Sequence, residues 1–204
     1  MRDTVPASPT PAATWVLPDE PVPIRLMNTV WADRHGVHDA LTSRDDLRAW
    51  LAHTGLGPAG TAVTDGDVTA HRALRDALRR LAALLTDDTR PAAASATTDL
   101  DRAVADVNAA AATSPPVPGL RLRDGTLHRT DTTTGPTPAA ALSTVATAAV
   151  DLLTSATARD LRACHAPGCV LYFLKDHPRR EWCSTACGNR ARAARHYRKH
   201  RDTP

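Results

Sequence analysis

Lysine is nearly missing from this chain of 204 residues: Lys175 and Lys199 are the only two, and arginine makes up the rest of its 25 basic side chains. With that bias, abundant arginine carries no functional weight until its placement is known. Aromatic residues are scarce, at four Trp, two Tyr and one Phe. Long apolar runs are lacking as well. The longest candidate, residues 139–158, is alanine and threonine interrupted by Asp151, which reads as a packed helix rather than a membrane span. No basic, apolar signal opens the chain, so the sequence predicts a cytoplasmic protein without membrane contact. Cysteine does not occur before position 164. Residues 1–158 also hold no glycine-rich phosphate loop and no histidines clustered with carboxylates at ligand spacing. Cysteine-nucleophile, phosphate-loop and metal-hydrolase chemistry thus find no support there.

What is present divides sharply by charge. Residues 159–201 carry eleven Arg or Lys against Asp160, Asp176 and Glu181, whereas residues 1–158 carry fourteen basic against eighteen acidic side chains. An acidic body with a basic end is the asymmetry of a nucleic-acid-binding tail on another domain.

Along the body, residues 1–21 are rich in proline, alanine and threonine and read as a disordered leader. The segment 24–31 fits a strand or a short helix, and its pattern does not decide. Ser43 with Asp46 predicts a capping box for a helix that buries Leu47, Trp50 and Leu51 and ends at Gly55. Leu74, Leu78, Leu81 and Leu85 recur at helical spacing, as do Leu100, Val104, Val107 and Ala111. The charges between them read as solvated faces, and His35 and His38 beside Gly36 read as surface loop. Alternation around Asp124-Gly125 predicts a hairpin with a type I′ turn. Thr137-Pro138 opens a last helix carrying Leu142, Val145, Ala149, Leu152 and Leu153.

Chemistry concentrates in Cys164, Cys169, Cys183 and Cys187, which are all the cysteines of the chain. Two close pairs separated by a loop let each pair supply two thiolates to one tetrahedral ion. Pro167-Gly168 can turn the first pair into a knuckle, and the i, i+4 spacing of the second puts both sulfurs on one face of a helix start. Two disulfides are the alternative, disfavoured in a reducing compartment; an iron–sulfur cluster finds no support in the spacing. The expected ligand is structural Zn(2+), since four sulfurs leave no place for a reactive water. Binding contributes on the order of 10–16 kcal/mol to folding a module too small to close a core alone.

Behind Cys187 runs an alanine- and arginine-rich helix in which Arg192, Arg195 and Lys199 share an arc, with Arg190 and Arg198 towards the other side. Together with Arg179 and Arg180 they are the candidate contacts to double-stranded DNA, and Arg192 and Arg195 are the foremost candidates for the groove. Tyr197 as the single aromatic argues against a stacking, single-strand mode.

Cys187-Gly188-Asn189-Arg190, preceded by Arg179-Arg180 and Trp182-Cys183-Ser184, resembles the signature of the CGNR zinc-finger family. The body resembles the ABATE domain that precedes this finger in bacterial stress-induced transcription regulators. The matching positions are Asn28-Thr29, Leu41 with Leu47, Trp50-Leu51, Leu74-Arg75 and the Asp124-Gly125 hairpin. The resemblance implies the four cysteines as zinc ligands and DNA-binding regulation as the role. One departure lies in the loop from Phe173 through Lys175 and Asp176 to Pro178, where many members carry a Phe-x-Asp-x-Ser-type stretch.

The expected architecture is α+β: a leader (1–21), a mainly helical domain with a small β-hairpin element (22–158), and a four-cysteine zinc finger with a basic helix (159–204). The body is expected to close its own core and to sense a small-molecule effector or form a homodimer. The rival readings are a zinc-stabilised protein-interaction module and, without sequence support, an enzyme in the body.

Overall fold

A computed structural model describes residues 16–201, with side chains as far as Arg198. The first fifteen residues of the predicted leader lie outside the described residues. Its remainder packs onto the fold, with Glu20 buried.

Helix α1 (Val22–Met27) runs into a tight hairpin of β1 (Val30–Asp33) and β2 (Gly36–Asp39). The ambiguous segment 24–31 thus contains both a helix end and a strand start. His38, read as loop, lies in β2, stacks on Trp31 at 4.4 Å between ring centroids, and has Nε2 2.7 Å from Asp33 Oδ1. Four-residue strands are too short to show a period, which is why this hairpin is not legible from sequence.

Helix α2 (Arg44–Thr54) has the predicted capping box: Asp46 N–H donates to Ser43 Oγ at 3.2 Å and Ser43 N–H to Asp46 Oδ2 at 2.9 Å. Gly55 ends it at φ 73°, a left-handed position that glycine takes without strain. Thr64 and Asp67 form a second capping box at the start of α3 (Asp65–Leu85), the longest helix, which touches α1, α2, α4 and α5. Its core stripe is mixed. Leu74, Leu78 and Ala82 alternate with His71, Arg75 and Arg79, which are also buried. Those two arginines are therefore not on a solvated face: Arg75 donates to Asp39 at 2.6 Å and Asp76 at 2.9 Å, and Arg79 is bound by main-chain carbonyls.

Helix α4 (Leu100–Thr113) is rotated from the predicted stripe. It buries Ala103, Val107 and Ala110, while Val104 is half exposed. Small side chains let α4 approach α3 and α5 closely, so position outweighs side-chain hydrophobicity. Ser143 of α5 (Thr137–Thr154) locks the pair: its hydroxyl donates to Ala110 O at 2.8 Å and accepts Ser114 N–H at 2.7 Å. By length and composition α5 could cross a membrane, but Ala141, Val145, Ala146 and Ala149 sit in the core. Between α4 and α5 the ribbon of β3 (Val117–Arg123) and β4 (Thr126–Thr132) turns through Asp124 and Gly125, both at positive φ as a type I′ turn requires.

The chain ends in β5 (Leu161–Ala163), β6 (Tyr172–Leu174) and helix α6 (Thr185–Arg201). Leu161, Ala163 and Tyr172 belong to the same apolar cluster as the five body helices, with Leu174 packed against it. The apolar core of the body thus continues into the finger through β5 and β6. Asn28 acts as a third strand edge, donating from Nδ2 to Tyr172 O at 2.9 Å and accepting Tyr172 N–H at 3.0 Å. Leu174 N–H donates to Glu20 at 3.0 Å.

A chain cut after Ser155 should be molten, because it loses Leu161, Ala163 and Tyr172, orphans the amide of Asn28 and strips the buried Arg79 of the Val170 carbonyl. A cooperative thermal melt of that fragment would show instead that the body closes without the finger. A second expectation concerns His71, whose Nδ1 bonds to Asp67 O at 2.8 Å while Nε2 has no partner among the described residues. Burial pushes its pKa down. The unfolded chain therefore binds a proton that the folded one refuses, so this part of stability is full above about pH 6.5 and is lost as pH falls below it. In chemical denaturation from pH 7 to pH 5, His71→Phe should gain on the wild type, and parallel curves would refute this.

Candidate metal centre

The two sulfur pairs are delivered by different devices. Gly168, at φ 73°, turns the knuckle so that Cys169 N–H donates to Ala166 O at 2.9 Å, bringing Cys169 beside Cys164 at the end of β5. Cys183 and Cys187 straddle the start of α6, where Ser184 Oγ accepts the Cys187 N–H at 3.2 Å as an N-cap. The positive end of the helix then lies against the sulfurs and favours thiolate.

The four sulfurs lie within 4.8 Å of one another and all four residues are buried. Cys169 and Cys183 sulfurs are 3.8 Å apart, and those of Cys183 and Cys187 3.4 Å. Both distances far exceed a disulfide bond of about 2.05 Å. They match a tetrahedron with about 2.3 Å metal–sulfur bonds, whose edge is about 3.8 Å. Crowded thiols cannot all ionise unaided. Hydrogen bonds from neighbouring thiols push the pKa of Cys187 down and hold that of Cys164 at about 7, while donating those bonds pushes Cys169 and Cys183 up. A divalent cation resolves this conflict, and the donor set fits Zn(2+).

A second layer surrounds the sulfurs. Cys183 N–H donates to Cys164 Sγ at 3.5 Å, and Arg190 Nη2 donates to Cys187 Sγ at 2.9 Å. Trp31 and Trp182 pack against the cluster, together with Val16 and Leu17. Gly188 meets Trp182: a Cβ there would lie 3.1 Å from Trp182 Cδ1, so the indole would have to yield by a few tenths of an ångström. Asn189 accepts a hydrogen bond from Arg192. The four residues of the Cys187–Arg190 signature thus supply a ligand, a close approach, a partner for Arg192 and a donor to sulfur.

The body contributes as well. Arg90 donates to the carbonyl of Cys164 and to that of Cys169, the latter at 2.7 Å. Asp88 orients Arg90 at 2.6 Å and accepts the Tyr172 hydroxyl at 2.8 Å. Burial raises the Asp88 carboxyl, but hydrogen bonds from Arg90 and Tyr172 outweigh it and hold the group at about 2. Nothing in the spacing around Asp88 or Arg90 announces this role, and Glu20 is equally unmarked within a proline-rich stretch.

The basic residues singled out from sequence separate into three groups. Arg180 is engaged in the fold, bonded to Glu20 at 2.8 Å and to the carbonyls of Leu174 and Cys183, with its guanidinium 4.9 Å from the Phe173 ring. Arg190 and Arg192 are held by Cys187 and Asn189. Arg179, Arg195 and Arg198 are exposed, and no side-chain partner engages them among the described residues. Lys199 has its side chain outside the described residues. Arg195 and Arg198 join His165, Pro167, Trp182 and Tyr197 around a cleft of about 550 Å³ between knuckle and helix.

Residues 20–156 match the family model ABATE, described as "Putative stress-induced transcription regulator". The chain belongs to the ABATE family. Residues 160–200 match the CGNR zinc finger, so the four-sulfur cluster is that finger's metal centre. Neither is an enzyme family. No curated protein matches the chain.

One zinc per chain is expected from metal analysis, and Cys183→Ser should abolish it. Because β6 lies in the ABATE core, zinc loss should also lower the melting temperature of the helical body. Retention of stoichiometric zinc, or an unchanged melt of the body, would contradict this coupling.

Proposed function

We propose that the protein is a transcription regulator that holds double-stranded DNA on the basic finger, with zinc in a purely structural role. The observation that carries this reading is the division among the finger's arginines. Those nearest the metal are consumed by sulfur, carbonyl and carboxylate partners, whereas Arg179, Arg195 and Arg198 stand exposed and without partners among the described residues. Lys199 joins them by its charge and its place on α6. Exposed arginines on a helix braced by a rigid metal centre suit a groove lined by phosphates, and arginine adds bidentate recognition of guanine. Four sulfur ligands leave the metal without an open position for catalysis.

An interaction module would expose an apolar patch on the finger, yet Tyr197 is the finger's single exposed large hydrophobic among the described residues. The ABATE body is proposed to sense an effector or to join two copies. Its cleft of about 510 Å³ beside α3 and α4 is walled by Arg72, Asp76, Asp99, Arg102 and Asp106, which suits a charged effector better than an apolar one. A reducing cytoplasm is the compartment in which the thiols stay available to zinc.

Selection of duplex sequences with the zinc-loaded full chain, followed by titration against salt, tests this reading. Four phosphate contacts from Arg179, Arg195, Arg198 and Lys199 contribute about −3.6 to the log–log salt slope, or about a hundredfold in affinity between 50 and 200 mM. Alanine at both Arg195 and Arg198 should make the slope less negative by about 1.8 with zinc content unchanged. Binding indifferent to those two changes would transfer the reading to the interaction module.

A further inference from the structure

The ribbon β3–β4 is the least buried part of the fold. Each strand has seven residues, about 24 Å in extension, and no third strand joins them among the described residues. Pairing of Arg121 with His128, Arg123 with Thr126 and Gly119 with Thr130 puts these side chains on one face. The other face carries Leu120, Leu122 and Leu127, with Arg129 and Asp131 bonded to each other at 3.0 Å. The ribbon is thus basic on one side and apolar on the other.

Its arginines are unlike the rest of the body's. Thirteen arginines lie between residues 22 and 158. Eleven of them bond to a carboxylate, a carbonyl or an imidazole. Arg121 and Arg123 alone have no partner among the described residues. Both are exposed and, with His128, Arg129 and Thr130, line a shallow cleft of about 290 Å³ without a carboxylate in its wall.

We propose that this ribbon is a second DNA-binding element, in which Arg121 and Arg123 hold the phosphates of a duplex; the proposal rests on the reading of the protein as a duplex-DNA binder. Charge complementarity names the occupant: unpaired guanidinium groups two residues apart on an extended strand face a polyanion better than any neutral surface. A two-stranded ribbon also has the width that the major groove admits. Asp124 occupies the tip, so the ribbon meets DNA with its basic face and not end-on. The acidic balance of the body makes a site of this kind stand out, since steering of DNA towards the body depends on a local patch of opposite sign.

The test uses the zinc-loaded full chain and the selected duplex, with affinity measured from 50 to 200 mM salt. Arg121→Gln with Arg123→Gln should make the log–log slope less negative by about 1.8, so that the loss of affinity over that range shrinks about tenfold. Arg121→Lys with Arg123→Lys should keep the slope, because lysine preserves the phosphate charge. A slope lost in the lysine variant as well would trace the effect to folding and overturn the proposal. So would a glutamine variant with an unchanged slope, while a loss of affinity in Arg195→Ala with Arg198→Ala would leave the finger reading standing. A glutamine variant that changes the sedimentation coefficient but not the slope would make the basic face a contact between proteins, also overturning it. If the wild type binds no duplex at any salt, the reading of the function falls and the proposal with it.

Discussion

A single buried cation ties this molecule together. Arg79 donates from Nη1 to Met27 O at 3.1 Å, from Nη2 to Ala93 O at 3.1 Å, and from both nitrogens to Val170 O at 3.3 Å. It therefore clamps the end of α1, the short turn after α3 and the segment leading into β6. No carboxylate bonds to it among the described residues, and burial lowers its pKa. Carbonyl dipoles and the Tyr172 ring, 5.3 Å away, take the place of water. A buried charge stabilised in this way is tolerated only while every carbonyl stays in place, which makes the junction of body and finger a rigid one.

From that junction a chain of polar contacts runs to the metal centre. Tyr172 packs in the body core and bonds to Asp88, Asp88 holds Arg90, and Arg90 grips the carbonyls of Cys164 and Cys169. The knuckle that delivers two of the four sulfurs is thus set by side chains of the helical body. Zinc in turn fixes the start of α6 through Cys183 and Cys187. The direction in which the basic helix leaves the protein follows from the body core by way of the metal, so the finger is a continuation of the ABATE fold in packing terms.

The pairing of arginines gives the surface its meaning. In a chain where arginine is almost the only base, counting it says little. Partners say more, because a paired guanidinium is structural and an exposed unpaired one faces solvent or a ligand. Arg75, Arg79, Arg90 and Arg180 are absorbed by the core and the junction. Arg121, Arg123, Arg179, Arg195 and Arg198 remain exposed on the ribbon and the finger.

Local chemistry is legible in the order of the residues. The capping box of Ser43 and Asp46, the Asp124-Gly125 turn, the apolar stripe of α5 and the four cysteines each depend on neighbours within a few residues, where spacing dictates geometry. Four thiolates at knuckle spacing have one low-energy arrangement around a metal, so the donor set and the ion are readable from residue order. Long-range pairing was beyond its reach. That Asn28 would mimic a strand against Tyr172, that Arg79 would reach the Val170 carbonyl and that β5–β6 would complete the body core all join residues about 90 to 145 positions apart. These contacts emerge only on folding, because a polar side chain becomes structural when folding removes its water and supplies a partner, and no local pattern records which partner arrives.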